Sequence, residues 1–146
     1  MAEQKYKKYI IEDYIISEEE RIRSAENPER LSRLAPIVRL DDDIIKGSFY
    51  MTFIWALGVS SREHDLEAHT HDFNEVLGWI GTDWKNPHDL GGEIEFWIED
   101  EKYILKKSCI IFIPRGVKHC PLKDLKVDRP YIHFGVITEG DYHLSG

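Results

Sequence analysis

At 146 residues with 42% hydrophobic content, the chain is long enough for one domain with a real core. It has no apolar run of about eighteen residues and no basic-then-apolar leader, so neither a membrane span nor a signal peptide is expected and a cytoplasmic location follows. A net charge of −8 argues against nucleic acid as the main partner, and two cysteines, Cys109 and Cys120, do not make a disulfide framework.

Residues 1–47 differ in pattern from the rest of the chain and read as an N-terminal extension of arm and short helices. The Tyr- and Ile-rich stretch 5–11 reads as an early strand or a mobile arm. Ser17 ahead of Glu18, Glu19 and Glu20 is a helix start, because a serine oxygen and an acidic first turn satisfy the free amides and the dipole. Asn27 and Pro28 repeat the signal and predict a helix that runs to about Ala35 and stops at Pro36. The extension is expected to cover a barrel edge or to reach across a homodimer.

From residue 48 the hydrophobic period becomes two. The odd positions from Phe49 to Leu57 are large and apolar and are predicted core, with Tyr50 and Thr52 on the other face, toward solvent or a cavity. After a loop at 58–66, His69 and His71 stand two apart on a strand and so point to the same side. A short turn returns Glu75 beside them, and Leu77 and Trp79 share its face, which makes Trp79 a candidate cavity wall. Residues 81–92 form a long connection. Its His88 is placed on the order of 15–20 Å from Glu75 at about 3.3 Å per residue, too far for a ligand.

Glu93, Glu95 and Trp97 alternate on one strand face, and a hairpin follows at 99–101. Residues 108–113 are almost continuously apolar and are predicted to be buried on both faces. Pro114-Arg115-Gly116 forms a turn that aims His119 at the same point as the earlier ligands. Cys120 is predicted to point away from that point, and Cys109 to pack in the core. In the last strand Ile132, Phe134 and Val136 read as core, with Tyr131 and His133 on the opposite face. His64 and His143 lie in a loop and in the tail and are given no role.

Three imidazoles and one carboxylate (His69, His71, His119 and Glu75) suit a borderline first-row divalent ion such as Fe, Mn, Ni, Zn or Cu. His133 is the candidate general acid or base, because an ordinary imidazole pKa of about 6.5 suits proton transfer near neutrality. Tyr50, Trp79, Trp97 and Tyr131 are the candidate aromatic wall for a bound small molecule.

HxHxxxE followed by PxGxxH resembles the two motifs of the cupin superfamily, with His69, His71, Glu75 and His119 at the ligand positions and Pro114 and Gly116 in the turn. The flanks depart from the pattern. Glu63 and Ser108 stand where glycines belong, Gly81 falls one residue short, and Lys123 replaces an asparagine. The resemblance implies an all-β jelly-roll (double-stranded β-helix) barrel over residues 48–138, with residues 139–146 as a tail. It also implies one of two functions. The first is a metal-dependent oxygenase, isomerase or lyase acting on a small polar organic substrate; the second is a non-catalytic module that binds or senses a small molecule.

Overall fold

The computed structural model describes residues 3–138; the tail 139–146, with His143, lies outside the described residues. Eight strands follow in order: β1 (Leu34–Leu40), β2 (Tyr50–Ala56), β3 (Glu75–Ile80), β4 (Asp89–Ile98), β5 (Glu101–Lys107), β6 (Cys109–Ile113), β7 (His119–Val127) and β8 (Tyr131–Ile137). They form a five-stranded sheet in the order β1-β2-β8-β3-β6 and a three-stranded sheet in the order β5-β4-β7. Every strand pair within the two sheets is antiparallel. This is the all-β barrel that the sequence predicts, with a minor helical part at its N-terminal end.

The first helix, α1 (Glu18–Glu26), begins where expected: Ser17 Oγ accepts the Glu20 N–H at 3.1 Å. The second is shorter than expected. Helix α2 spans only Arg30–Arg33, and Leu34 is already the first residue of β1. Pro36 accounts for the change, since the residue before a proline is pushed out of the helical region and into extended backbone. Leu34 and Pro36 then pair with Ala56 and Ile54 of β2, so the five-stranded sheet draws its edge strand from the stretch read as an extension. Residues 5–11 form no strand. They hold a 3-10 turn, Lys7–Tyr9, with Tyr6 and Tyr9 exposed. Arg39, buried on β1, pairs with Asp41 and donates to the Ile15 carbonyl, which ties the segment before α1 to the sheet.

The face of the five-stranded sheet that carries Tyr50, Thr52 and His133 is the cavity face, one of the two options read for it, and the alternating apolar positions read as core are not inside. Tyr50, Thr52, Ile54 and Ala56 look inward and line a cavity, as do His133 and Gly135 of β8. Met51, Phe53 and Trp55, read as core, alternate with them and fall on the outer face, where register pairs them with Val136, Phe134 and Ile132. The reason is the cavity: a strand that faces one shared by Glu75, His119 and apolar side chains turns its mixed side in, so "apolar means inside" picks the wrong face. β6 likewise is not buried on both sides. As an edge strand it buries Ile113 and leaves Ile110 and Phe112 70% and 59% exposed.

The core fills one end of the barrel. Trp79 and Phe96 meet edge to face at 5.9 Å, with Leu90, Ile94 and Tyr131 packed around them, all almost fully buried. The connection after β3 is shorter than the expected 81–92, because β4 already begins at Asp89, and it is pinned by Ser108, the residue at the motif's glycine position: its Oγ accepts from Gly81 N–H at 2.8 Å and donates to the Pro87 carbonyl at 2.6 Å. The close approach at Gly81 leaves no room for a side chain, since an added Cβ would lie 1.9 Å from the Asp89 carbonyl oxygen. Gly81→Ala is therefore expected to cost about 2–4 kcal/mol of stability, because backbone must move. Gly47→Ala, at φ +89° in open space, should cost only about 1 kcal/mol. Urea unfolding of the two variants side by side measures both.

Candidate metal centre

His69 and His119 form an isolated antiparallel bridge in which each N–H donates to the other's carbonyl at 3.0 Å. Residues paired in this way project to the same side of the backbone, and the two rings lie 4.5 Å apart. His71 follows two residues on, its ring 4.7 Å from His69 and 5.0 Å from His119, and it stacks on the buried ring of Phe73 at 4.5 Å. One ligand atom from each histidine lies within 4.8 Å of the others. Glu75, at the start of β3, brings its Oε1 to 3.2 Å from His119 Nε2 and 3.6 Å from His71 Nε2. The turn of the second motif is fastened to the first: Gly116 N–H donates to the His71 carbonyl and Arg115 N–H to Asn74 Oδ1, each at 2.9 Å.

The donor chemistry fits a metal ion. His69 Nδ1 meets the Glu67 carbonyl at 2.7 Å and His119 Nδ1 meets the Val117 carbonyl at 2.9 Å. A carbonyl only accepts, so both Nδ1 atoms carry the proton and both Nε2 atoms present a lone pair. His119 Nε2 is buried and makes no hydrogen bond of its own. Burial pulls the His69 pKa down to about 4, which keeps that ring neutral, as a ligand must be.

A cavity of about 300 Å³ runs from this cluster between the sheets to a mouth formed by the helical segment. Thr52, Ile54, Leu77 and Gly135 form its walls. Tyr14, Glu20, Arg23 and Arg30 reach it from the N-terminal segment, with the Arg30 Nε 2.8 Å from Glu20 Oε1. Sequence periodicity gave no sign of these residues. The Ser17 cap locates α1, but the pattern of a short helix does not say what it packs against.

His133 lines the cavity, stacked on Trp79 at 4.6 Å, and its Nδ1–H donates to the Gly78 carbonyl at 2.9 Å. Burial lowers its pKa to about 4, against the opposing pulls of the Gly78 carbonyl and the Glu75 charge. The ordinary value near 6.5 expected for it therefore does not hold, and at neutral pH it is a neutral ring able to accept a proton at Nε2. Of the expected aromatic wall, Tyr50 and Trp79 line the cavity. Trp97 and Tyr131 do not. Trp97 faces away from the buried Phe96 side of β4 and donates its indole N–H to Glu95 at 3.3 Å. Tyr131 is buried in the core and donates its hydroxyl to Asp124, whose carboxyl is raised by burial.

Asp124 also takes part in a buried polar group that the sequence pattern did not reveal. Its N–H donates to Asp65 Oδ2 at 3.1 Å, and Asp65 Oδ1 lies 3.0 Å from Arg33 Nη2. Cys120, expected to point away from the ligands, instead contributes to the cavity lining. Its φ is +71°, and the register opposite slips between Phe96 and Ile98, so β7 does not alternate regularly there. His88 is exposed and takes no part in the cluster.

No protein-family model matches the sequence, and no curated protein aligns with it. Solved structures do match by fold. A recombinant oxalate oxidase in complex with glycolate superposes with a TM-score of 0.51 at 13% identity, over 82% of this chain and 57% of that one. A mutant of Bacillus subtilis oxalate decarboxylase gives 0.49 at 10% identity, over 77% and 28%. The cupin domain of a Schizosaccharomyces pombe protein gives 0.45 at 16% identity, over 73% and 61%. The chain thus has the cupin fold, and it spans little more than half the length of the oxalate oxidase that it matches. Among the described residues no helix is long and apolar enough to cross a membrane.

The His133 environment sets a pH dependence of stability. The ring titrates near 6.5 when unfolded and near 4 in the fold, so between these values the unfolded chain binds the extra proton. Its contribution is complete above about pH 6.5 and is lost as pH falls toward 4, by up to about 3 kcal/mol. His69, less buried, adds a smaller part in the same direction. Urea midpoints of chelator-treated protein should fall between pH 7 and pH 4.5, and His133→Gln should flatten that slope.

Proposed function

We propose that this chain is a mononuclear metal enzyme that acts on a small polar organic substrate, with His69, His71, Glu75 and His119 as ligands to a divalent transition ion. The observation that carries the reading is the convergence of these four groups, of which His69, Glu75 and His119 line a cavity of about 300 Å³, a volume suited to a small molecule. A set of three imidazoles and one carboxylate suits Fe, Mn, Ni, Zn or Cu. When bound, such an ion supplies Lewis acidity toward a substrate oxygen in the one or two positions that four protein ligands leave open.

The chain's own residues divide the remaining work. Neutral His133 takes up or relays a proton at Nε2, while its Nδ1–H to Gly78 and its stack on Trp79 fix the ring plane. Ile54 and Leu77 give the middle of the cavity an apolar wall that excludes water from the reacting groups. Thr52 and Tyr50 offer hydroxyls to polar groups of the substrate, and Arg23 and Arg30 place positive charge at the mouth, shared with Glu19 and Glu20. The reaction class is oxygenation, isomerisation or a lyase step such as decarboxylation or dehydration.

Metal analysis of anaerobically purified protein tests the ligand set. A His71→Ala, His119→Ala double variant should keep its far-UV circular dichroism and lose stoichiometric metal; metal content equal to wild type would sink the assignment. Oxygen-uptake and metabolite-consumption screens then look for a substrate. With one in hand, His133→Gln should retain metal while turning over on the order of a hundredfold more slowly. Tight binding of a metabolite with no turnover would instead favour the sensing module.

A further inference from the structure

We infer that the cavity takes a substrate with a single acidic group, held at the candidate centre, and an uncharged, hydroxylated remainder. The inference rests on the metal-enzyme reading and names its substrate class. What carries it is the balance of charge along the lining. Among the described residues, three guanidinium groups reach the cavity, those of Arg23, Arg30 and Arg33, and no lysine does. Each is already matched by a carboxylate. Arg30 donates twice to Glu20, from Nε to Oε1 at 2.8 Å and from Nη2 to Oε2 at 3.4 Å. Arg23 Nη2 donates to Glu19 Oε1 at 2.8 Å, and the buried Arg33 Nη2 lies 3.0 Å from Asp65 Oδ1. The Arg30 and Glu20 side chains are each only 14% exposed, so water and salt screen that pair weakly.

Carboxylates outnumber these cations. Of the further acids on the lining, Glu18 pairs with Arg21 and Asp41 with Arg39, both from outside it, while Asp43 and Asp124 remain in excess. A second acidic group on a substrate would therefore meet occupied guanidiniums and surplus carboxylates. It would lose its water without gaining a cation. The candidate centre balances differently. A divalent ion among neutral imidazoles and the Glu75 carboxylate keeps one positive charge in excess, which one acidic group cancels.

The walls between suit neutral polar groups. Tyr50 and Thr52, alternate residues of β2, bring hydroxyls to the cavity side and hydrogen-bond to each other, and Tyr14 adds a third from the N-terminal segment. Burial pushes both phenols above their ordinary pKa, so each stays a neutral hydroxyl that donates as well as accepts. A substrate hydroxyl has the same double capacity and brings no charge into the enclosed space.

The test uses the full chain loaded with Mn²⁺, its metal content measured first, and three probes of one carbon skeleton: 2,4-dihydroxybutyrate, malate and 4-amino-2-hydroxybutyrate. They share the metal-binding hydroxy acid and differ at the far end, which is an alcohol, a carboxylate or an ammonium. Calorimetry should show the alcohol bound tightest, at least about tenfold over malate. Glu20→Gln releases Arg30 and Glu19→Gln releases Arg23, and at least one of the two should narrow the gap to malate about fivefold or more. If these ion pairs only hold α1 on the barrel, both variants lose stability while the preference among probes stays as in wild type, and the inference fails. It fails too if malate or the amine binds as tightly as the alcohol, or if the alcohol does not bind. A sample that takes up no metal sinks the centre and the inference together; a loaded sample that prefers malate sinks the inference alone.

Discussion

His69 and His119 exchange both of their backbone hydrogen bonds, and the candidate centre depends on that exchange. A mutual pair fixes the two backbones face to face, so the rings project side by side without either side chain having to find the other. The imidazoles are then locked at their far nitrogens by the Glu67 and Val117 carbonyls. The geometry is therefore set by main chain rather than by the ion. The pairing sets two Nε2 atoms side by side, each with its Nδ1 already held by a carbonyl, as a pair of metal ligands requires.

The same backbone logic explains what the sequence made legible. HxHxxxE and PxGxxH are short-range patterns whose spacing follows from strand alternation and turn length, so His69, His71, Glu75 and His119 fall together as expected. Trp79 and Tyr50 came with them by period two. What period two does not carry is the sign of a face. Along β2 and β8 one side is aromatic and aliphatic and the other mixed, and the mixed side faces in, onto a cavity that Glu75 and His119 share with apolar side chains. Trp97 failed for a related reason: strand position alone does not say which of the two sheets' faces looks toward the site.

The N-terminal segment was only partly legible. Its helix start at Ser17 is a local signal, satisfied by atoms within one turn. Its role at the cavity mouth rests on Arg30, Glu20 and Tyr14 meeting strands that come much later in the chain, and no local pattern encodes that. Pro36 carried a readable message, the end of a helix, but the stronger consequence was the start of a strand that completes the sheet. The burial of Arg33 beside Asp65 has the same character, since a charged pair at that depth depends on long-range packing.

Strand β8 holds His133 toward the cavity and Phe134 toward the outside, one residue apart. The side-chain period of a strand is two, so a slip of a single residue would exchange the two surfaces entirely. Substitutions along β8 therefore touch one surface at a time. An insertion or deletion within it would strike both together, placing an aromatic ring over the candidate centre and an imidazole on the bare outer sheet. The spacing from Tyr131 to Ile137 is thus more constrained than the identity of most residues within it, and divergence in this fold should run through replacement there rather than through changes in length.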